Sequence, residues 1–235
     1  MNTRQLMIEN NLTAIKENIT RTALNCGRDP NSIKLVAVSK RFPVETILEA
    51  HAAGQILFGE NYLQEAADKK EIIKDQARFH FIGHLQSNKA RVAAEIFDMI
   101  ETIDRIKIAS ALNRHLQQLN KKLDILIQVN IGYDSDKSGA LPEETELLLK
   151  EIKKLSNLQP KGLMTMPPYT EDLGKTRGFF KDLKLLADEL QTKELLPEKH
   201  LELSMGMSSD YQVAIEEGAT FIRIGTAIFG QRPPK

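Results

Sequence analysis

Leu35-Val36-Ala37-Val38-Ser39-Lys40-Arg41-Phe42-Pro43 is an apolar run that stops at a lysine and turns without a glycine. So short a run, rich in valine and closed by a proline, reads as a buried strand entering a turn. A doubly wound dinucleotide-binding sheet places a glycine-rich turn after its first strand, so that backbone N–H groups can meet a pyrophosphate. Ser39-Lys40-Arg41 stands in that place instead. The same ingredients also build a closed parallel barrel, and there the functional groups collect where the strands end.

Working outward, short apolar runs alternate with longer amphipathic stretches, the pattern of parallel strands joined by crossover helices. Strands are expected at Ile33–Val38, Gln55–Phe58, Phe79–Ile82, Asp98–Thr102, Asp124–Val129, Lys161–Met164, His200–Ser204 and Phe221–Ile224. A helical stretch follows each of the first seven. Pro43 and Pro142 sit where helices open, the second with Glu143 and Glu144 placed to complement the helix dipole. Gly54 and Gly218 fall just past helical runs, where a C-cap needs positive φ. An opening helix, about residues 3–25, carries Leu6, Ile8, Leu12, Ile15, Ile19 and Leu24 near a helical period. Only eleven residues follow the last strand, too few for a covering helix. The opening helix is then the natural cover for the gap between strands eight and one. The expected fold is α/β, a (β/α)8 TIM-type barrel with an extra N-terminal helix. No Pro/Gly/Ser-rich linker divides the chain, so a single domain is expected over residues 1–235.

The 32 Lys and Arg balance 32 Asp and Glu, which removes the electrostatic case for nucleic acid or an anionic membrane. Cys26 is the only cysteine, so no intrachain disulfide can form and a reducing compartment is expected. The first residues lack the apolar core of a signal peptide, and no run approaches the roughly 20 apolar residues of a membrane span. A cytoplasmic protein is expected. No long exposed apolar helix demands a partner subunit, so a monomer is expected. Asp134-Ser135-Asp136-Lys137-Ser138-Gly139 imitates a calcium loop, but Thr145 stands where the bidentate glutamate belongs. No HExxH, cysteine cluster, P-loop or GxSxG elbow occurs, and His80 with His84 is too little for zinc, so no metal is expected.

Reading the strand ends gives Lys40, Glu60-Asn61-Tyr62, His84 to Asn88, Asn130, Thr165, Ser204 to Ser208, and Arg223-Ile224-Gly225-Thr226. Arg223 lies inside an apolar strand. A buried guanidinium stays charged and must meet a carboxylate, a ligand acceptor or a ring nitrogen. A structural ion pair with Glu202 or Glu101 is its plain alternative. Gly225 lets a ligand approach the backbone, and Thr226 offers N–H and hydroxyl donors to an oxyanion. Barrels commonly hold phosphate in the loops after strands seven and eight. An amine able to form an imine and a phosphate site at strand ends together point to pyridoxal phosphate (PLP). Each group also has a plain reading: Lys40 as a surface lysine, Asn61 as a helix cap, Ser204 and Ser208 as turn residues. Met164, Met166, Met205 and Met207 fit simple packing as well as the lining of a planar ring.

Seven segments, in order along the chain, carry a resemblance. They are Ala37-Val38-Ser39-Lys40, Phe58-Gly59-Glu60-Asn61-Tyr62, His80 to Lys89, Lys137-Ser138-Gly139, Gly162-Leu163-Met164, Leu203 to Ser208, and Arg223 to Gly230. The chain resembles the pyridoxal phosphate homeostasis proteins, relatives of the barrel domain of alanine racemase and fold type III among PLP proteins. The resemblance implies an internal imine on Lys40, and Arg223 facing the pyridine nitrogen. It implies that Ser204, Gly225 and Thr226 hold the phosphate, while Asn61 and the Met205-Gly206-Met207 turn lie along the ring. It further implies a carrier or buffer of intracellular PLP, with PLP-requiring apoenzymes as candidate recipients and no residue in a catalytic role. An arginine beside the ring nitrogen disfavours its protonation and weakens the electron sink. The racemases that resemble this barrel also use a tyrosine from a separate β domain, and Tyr62, Tyr133, Tyr169 and Tyr211 are not placed by sequence for that task. A low-efficiency amino-acid racemase is the main alternative. An aldolase-type lyase is a further one, disfavoured because such barrels usually carry the imine lysine on a later strand.

Overall fold

Along the last strand the side chains alternate between two environments. In the computed structural model, which describes residues 2–232, Ile222 and Ile224 join the large apolar core between sheet and helices. Phe221 joins a smaller cluster with Val36, Met99, Leu126 and Met164. Those side chains come from several different strands, so this second cluster is the inside of a closed sheet. Arg223 shares the face of Phe221 by the period of two and therefore points inward as well.

The order of elements is α1 (Thr3–Asn25), β1 (Lys34–Val38), α2 (Val44–Ala52), β2 (Leu57–Glu60), α3 (Leu63–Ile73), β3 (Arg78–Phe81), α4 (Ala90–Ile96), β4 (Met99–Ile103) and α5 (Ile106–Gln118). It continues with β5 (Leu123–Gln128), α6 (Pro142–Ile152), β6 (Leu158–Met164), α7 (Leu173–Thr192), β7 (Glu202–Ser204), α8 (Tyr211–Glu216), β8 (Phe221–Ile224) and α9 (Thr226–Phe229). The strands are parallel and close into a barrel in sequence order, β1 pairing with both β2 and β8. The expected (β/α)8 barrel is the fold.

Strand ends shift from expectation by one residue in β1, β3, β4 and β5 and by two or more in β2, β6 and β7, the larger shifts each for a local reason. Gln55 does not open β2, because its side-chain amide donates to the carbonyls of Leu35 and Leu57 and plugs the approach to the sheet. His200 does not open β7, because it sits at φ +60°, outside the extended region. Strand β6 begins before Pro160, at Leu158, because the pairing shifts register beside Ile125 and absorbs the missing N–H.

The opening helix lies where the missing cover was needed. Ile8, Leu12, Ile15 and Ile19 are buried against α2, α8 and the short α9. Leu6 and Leu24, at the ends of the expected stripe, are exposed. Asn2 caps the helix by accepting from the Gln5 N–H, and Asn11 donates to the Ile228 carbonyl at 2.9 Å, tying α1 to the chain after β8. At α6, Glu144 accepts from the Leu141 N–H, as the proline and acidic first turn suggested. Phe58, Phe79, Phe81, Phe97 and Phe180 are fully buried. Removing any one ring should cost about 3–5 kcal/mol. Among the described residues no helix is long and apolar enough to cross a membrane.

Candidate functional site

Pairing of Ala37 with Ile224 sets the two decisive strand ends side by side. The turn carrying Lys40 follows β1, and Gly225-Thr226 follows β8. A Cβ on Gly225 would stand 3.2 Å from the Val38 carbonyl oxygen and 3.6 Å from Nη2 of Arg232, so glycine keeps this corner open. Lys40 is half-buried, and its amine has no hydrogen-bond or ion-pair partner among the described residues. Burial, and then the like charge of Arg232, hold that amine below its usual 10.5, although Glu60 and Glu65 pull the other way. A lysine so placed is neutral more often than a surface lysine, and only the neutral amine attacks a carbonyl.

A buried ionic cluster fixes the turn beneath it. Ser39 Oγ donates to Glu60 Oε1 at 2.7 Å. Lys69, on α3, donates to the Ser39 carbonyl at 2.9 Å, to Glu60 Oε1 at 2.6 Å and to Glu65 Oε1 at 2.5 Å. Glu65 also accepts from the Arg41 N–H at 2.5 Å, holding Arg41 at φ +68°, a conformation most residues avoid. Burial pushes the Glu60 carboxyl up, against the pull of Lys69 and Ser39. Sequence reasoning met Glu60 only as a strand end and passed over Lys69. The one visible signal was the Glu65–Lys69 spacing of one helical turn.

The inside of the barrel carries a second polar layer. Arg223 is buried; it donates through Nη2 to the Thr165 carbonyl at 2.8 Å and through Nη1 to Ser204 Oγ. Ser204 in turn donates to Glu101 Oε2 at 2.6 Å, and Glu101 Oε1 lies 2.6 Å from Nδ1 of His80. Of the two carboxylates expected as alternatives for Arg223, Glu101 is reached through Ser204, whereas Glu202 pairs with Lys34. Burial works to raise the Glu101 carboxyl, but the His80 ring, Arg223 and Ser204 together outweigh it and leave it below the usual range. Burial also lowers the Arg223 guanidinium, against the attraction of Glu101 and Asp210.

The remaining expected residues divide. Asn61 is not the cap of α3, which is Tyr62, and its buried Oδ1 has no partner among the described residues. Gly206 lies at φ +92°, where a Cβ would meet Ala214 at 2.5 Å, and its carbonyl accepts from the Arg223 N–H. Met205 packs its side chain into the main core and gives its N–H to Phe221, so it presents nothing but backbone to the strand ends. Met207 is exposed, with its N–H bound to Asp210. Thr226 is exposed beside Gly225. The phosphate contact that the resemblance implies for Ser204 meets a hydroxyl whose proton already goes to Glu101. Arg232, which the sequence reading did not single out, stands next to Lys40 and Gly225.

A cavity lies at the opposite end of the barrel. Its volume is about 630 Å³, and Lys34, Arg78, Asp124, Lys161, Glu202 and Phe221 line it. Two of its lysines are already neutralised, Lys34 by Glu202 and Lys161 by Asp124 at 3.4 Å.

A barrel with a lone lysine at the end of β1 and an arginine inside β8 defines a class of protein, and comparison with known proteins gives the same class. The profile of the family described as alanine racemase, N-terminal domain, matches residues 10–233. The pyridoxal phosphate homeostasis protein of Pasteurella multocida is 43% identical over 231 residues, covering 97% of this chain and 98% of its own. The structure of PipY from Synechococcus elongatus PCC7942, with PLP bound, superposes with a TM-score of 0.83 at 38% identity, covering 95% of this chain and all of that one. Alanine racemase of Clostridium difficile shares the fold at 15% identity and a TM-score of 0.69, this chain spanning 56% of it. The chain belongs to the alanine racemase N-terminal domain family and, within it, to the pyridoxal phosphate homeostasis proteins.

Proposed function

We propose that this chain binds PLP through an imine on Lys40 and works as a carrier that keeps intracellular PLP in reserve for apoenzymes. The observation that carries the reading is the half-buried amine of Lys40, without a partner among the described residues, beside the open Gly225 corner. The residues fit the cofactor on other counts. The orphaned Oδ1 of Asn61 marks a buried polar group that a ligand would satisfy. Gly225, Thr226 and Arg232 gather donors where a phosphate belongs, and Arg223 brings a fixed cation to the ring nitrogen. Ser204 serves by holding Arg223. Bound there, PLP supplies an aldehyde that condenses reversibly with amines, releasing water, and a ring that takes up electrons. The close relatives support the cofactor, since one is named for PLP homeostasis and another holds PLP.

Low turnover follows from Arg223. A guanidinium held at the ring nitrogen opposes ring protonation, and the unprotonated ring accepts electrons poorly. The whole chain acts as a single domain, as a monomer, in the cytoplasm. Purified protein should be yellow, borohydride should fix the pyridoxyl group on Lys40 in a peptide map, and mixing with an apoenzyme should restore that enzyme's activity. Labelling on another lysine would remove the site. Robust racemase, transaminase or decarboxylase turnover that Lys40→Ala abolishes would replace the carrier with an enzyme.

A further inference from the structure

Four buried side chains from four strands form one connected line inside the barrel: His80 on β3, Glu101 on β4, Ser204 on β7 and Arg223 on β8. Charge makes the line more than packing. A buried guanidinium needs a counter-charge, and among the described residues no carboxylate touches Arg223 directly. Glu101 is the carboxylate connected to it, through a hydroxyl that accepts from Arg223 and donates to Glu101. Glu101 is fully buried and has one oxygen for Ser204 and the other for His80. Both ends of the carboxylate are therefore fixed. The second nitrogen of His80 has no partner among the described residues, and the ring borders the cavity at the far end of the barrel and packs edge-on against Phe221.

We propose that Glu101, steadied by His80, is the positioning residue that aims Arg223 at the cofactor's ring nitrogen. This rests on the reading that PLP occupies the strand ends. Ser204 transmits the constraint. Its hydroxyl has one proton, and giving it to Glu101 leaves the lone pairs for Arg223. With Nη1 on Ser204 and Nη2 on the Thr165 carbonyl, the guanidinium is held by two fixed acceptors, and its remaining donor hydrogens, unclaimed among the described residues, can meet a ring acceptor. Removing the negative charge of Glu101 would leave the arginine only the lesser attraction of Asp210 and free it to turn toward the phosphate.

The test is an exchange between one protein group and one ligand atom. PLP is compared with its analogue in which the ring nitrogen is replaced by CH, on the wild-type chain and on Glu101→Gln, with dissociation constants read from the visible band. Glutamine keeps the shape, and its amide still serves His80 in the other ring tautomer, so the change is mainly one of charge. The wild type should prefer PLP over the analogue by about tenfold or more, the worth of one charge-assisted hydrogen bond. In Glu101→Gln that preference should fall to about twofold, while affinity for the analogue changes little. Ser204→Ala, which cuts the line and keeps both charges, should act in the same direction. A thermal melt of the apo-protein checks that each variant is folded. Equal wild-type affinity for the two ligands overturns the proposal without any variant. So does a loss in Glu101→Gln that is the same for both, which would show a merely structural glutamate. A wild type that binds neither ligand would instead remove the cofactor reading on which the proposal stands.

Discussion

The two ends of this barrel both hold lysines near aromatic or apolar walls, yet they differ in what those lysines lack. At the N-terminal end Lys34 has Glu202 and the face of Phe221, 4.7 Å from the ring centroid, and Lys161 has Asp124. At the C-terminal end Lys40 has no partner among the described residues, and a second cation, Arg232, stands beside it. The first end has the volume, and the second has the unspent chemistry. Enclosed space reports only that side chains failed to fill a region. An unpaired, partly desolvated amine is costly to keep, and that cost makes it a candidate for ligand chemistry.

The comparison breaks most sharply on Lys40, the lysine proposed to form the imine. Lys40→Ala should abolish the visible band and borohydride labelling altogether, whereas Lys34→Ala and Lys161→Ala should leave both intact. A labelled peptide containing Lys34 or Lys161 in the wild type would reverse the assignment of the two ends. Next in size is the clamp under the Lys40 turn. Lys69→Met removes the cation that compensates buried Glu60 and should cost about 3–5 kcal/mol in urea unfolding at neutral pH. The sign with pH is fixed. Glu60 already lies above its usual range through burial, and losing Lys69 moves it further up. A carboxyl raised in the folded state contributes stability below its unfolded value and loses it as pH rises through the folded value. The variant should therefore recover stability on acidification toward pH 5, relative to wild type. An equal deficit at every pH would show that Lys69 matters for packing alone.

These clamps were the part of the molecule that the sequence did not disclose. The eight strands were legible because short apolar runs and helical stretches alternate without interruption, and because Pro142, Gly54 and Gly218 punctuate them. Lys40 and Arg223 were legible because a charge at the end of an apolar run, or inside one, is conspicuous. Glu101 was visible only as a possible ion-pair partner, since nothing in Met99-Ile100-Glu101-Thr102 says which strand it will face across a barrel. Lys69 sits among Asp68, Lys70 and Glu71 on a helix that reads as solvated, and burial at its inner edge depends on the turn two elements earlier. Met205 was legible only as part of the turn between Ser204 and Gly206; that its side chain joins the main core was not, because neighbouring residues at a strand end face opposite ways.

Phosphate anchoring sharpens the comparison at a smaller scale. If Gly225, Thr226 and Arg232 hold the phosphate, the chain should bind PLP far more tightly than pyridoxal, each lost charge-assisted hydrogen bond costing about 1.5–3 kcal/mol. Thr226→Ala should lose one such contact in calorimetry with PLP and nothing with pyridoxal. Arg232→Ala should do so too, with a second effect on Lys40. Arg232 is one cause of the lowered amine, so its removal lets the Lys40 value rise toward 10.5. The rate of PLP capture, which follows the neutral amine, should then climb at a higher pH than in the wild type. An unmoved pH–rate curve would separate Arg232 from Lys40.

The smallest effect belongs to the far end, and it probes whether the two ends are independent. The Lys34 side chain is 46% exposed in its pair with Glu202. Pairs of that exposure contribute about 0–1 kcal/mol, because solvent screens the attraction and ordering two long side chains costs entropy. Lys34→Gln should therefore lower stability by no more than about 1 kcal/mol, less still at high salt. PLP affinity should stay within about twofold, as expected for sites that share no partner. A connection between the ends runs through His80, which borders the far cavity and holds Glu101. A fall in PLP affinity of about tenfold in Lys34→Gln, with the fold intact, would show that charge at the bottom of the barrel reaches Arg223 along that line. Unchanged affinity leaves the far end as scaffold, where paired ions close a barrel whose work is done at its other mouth.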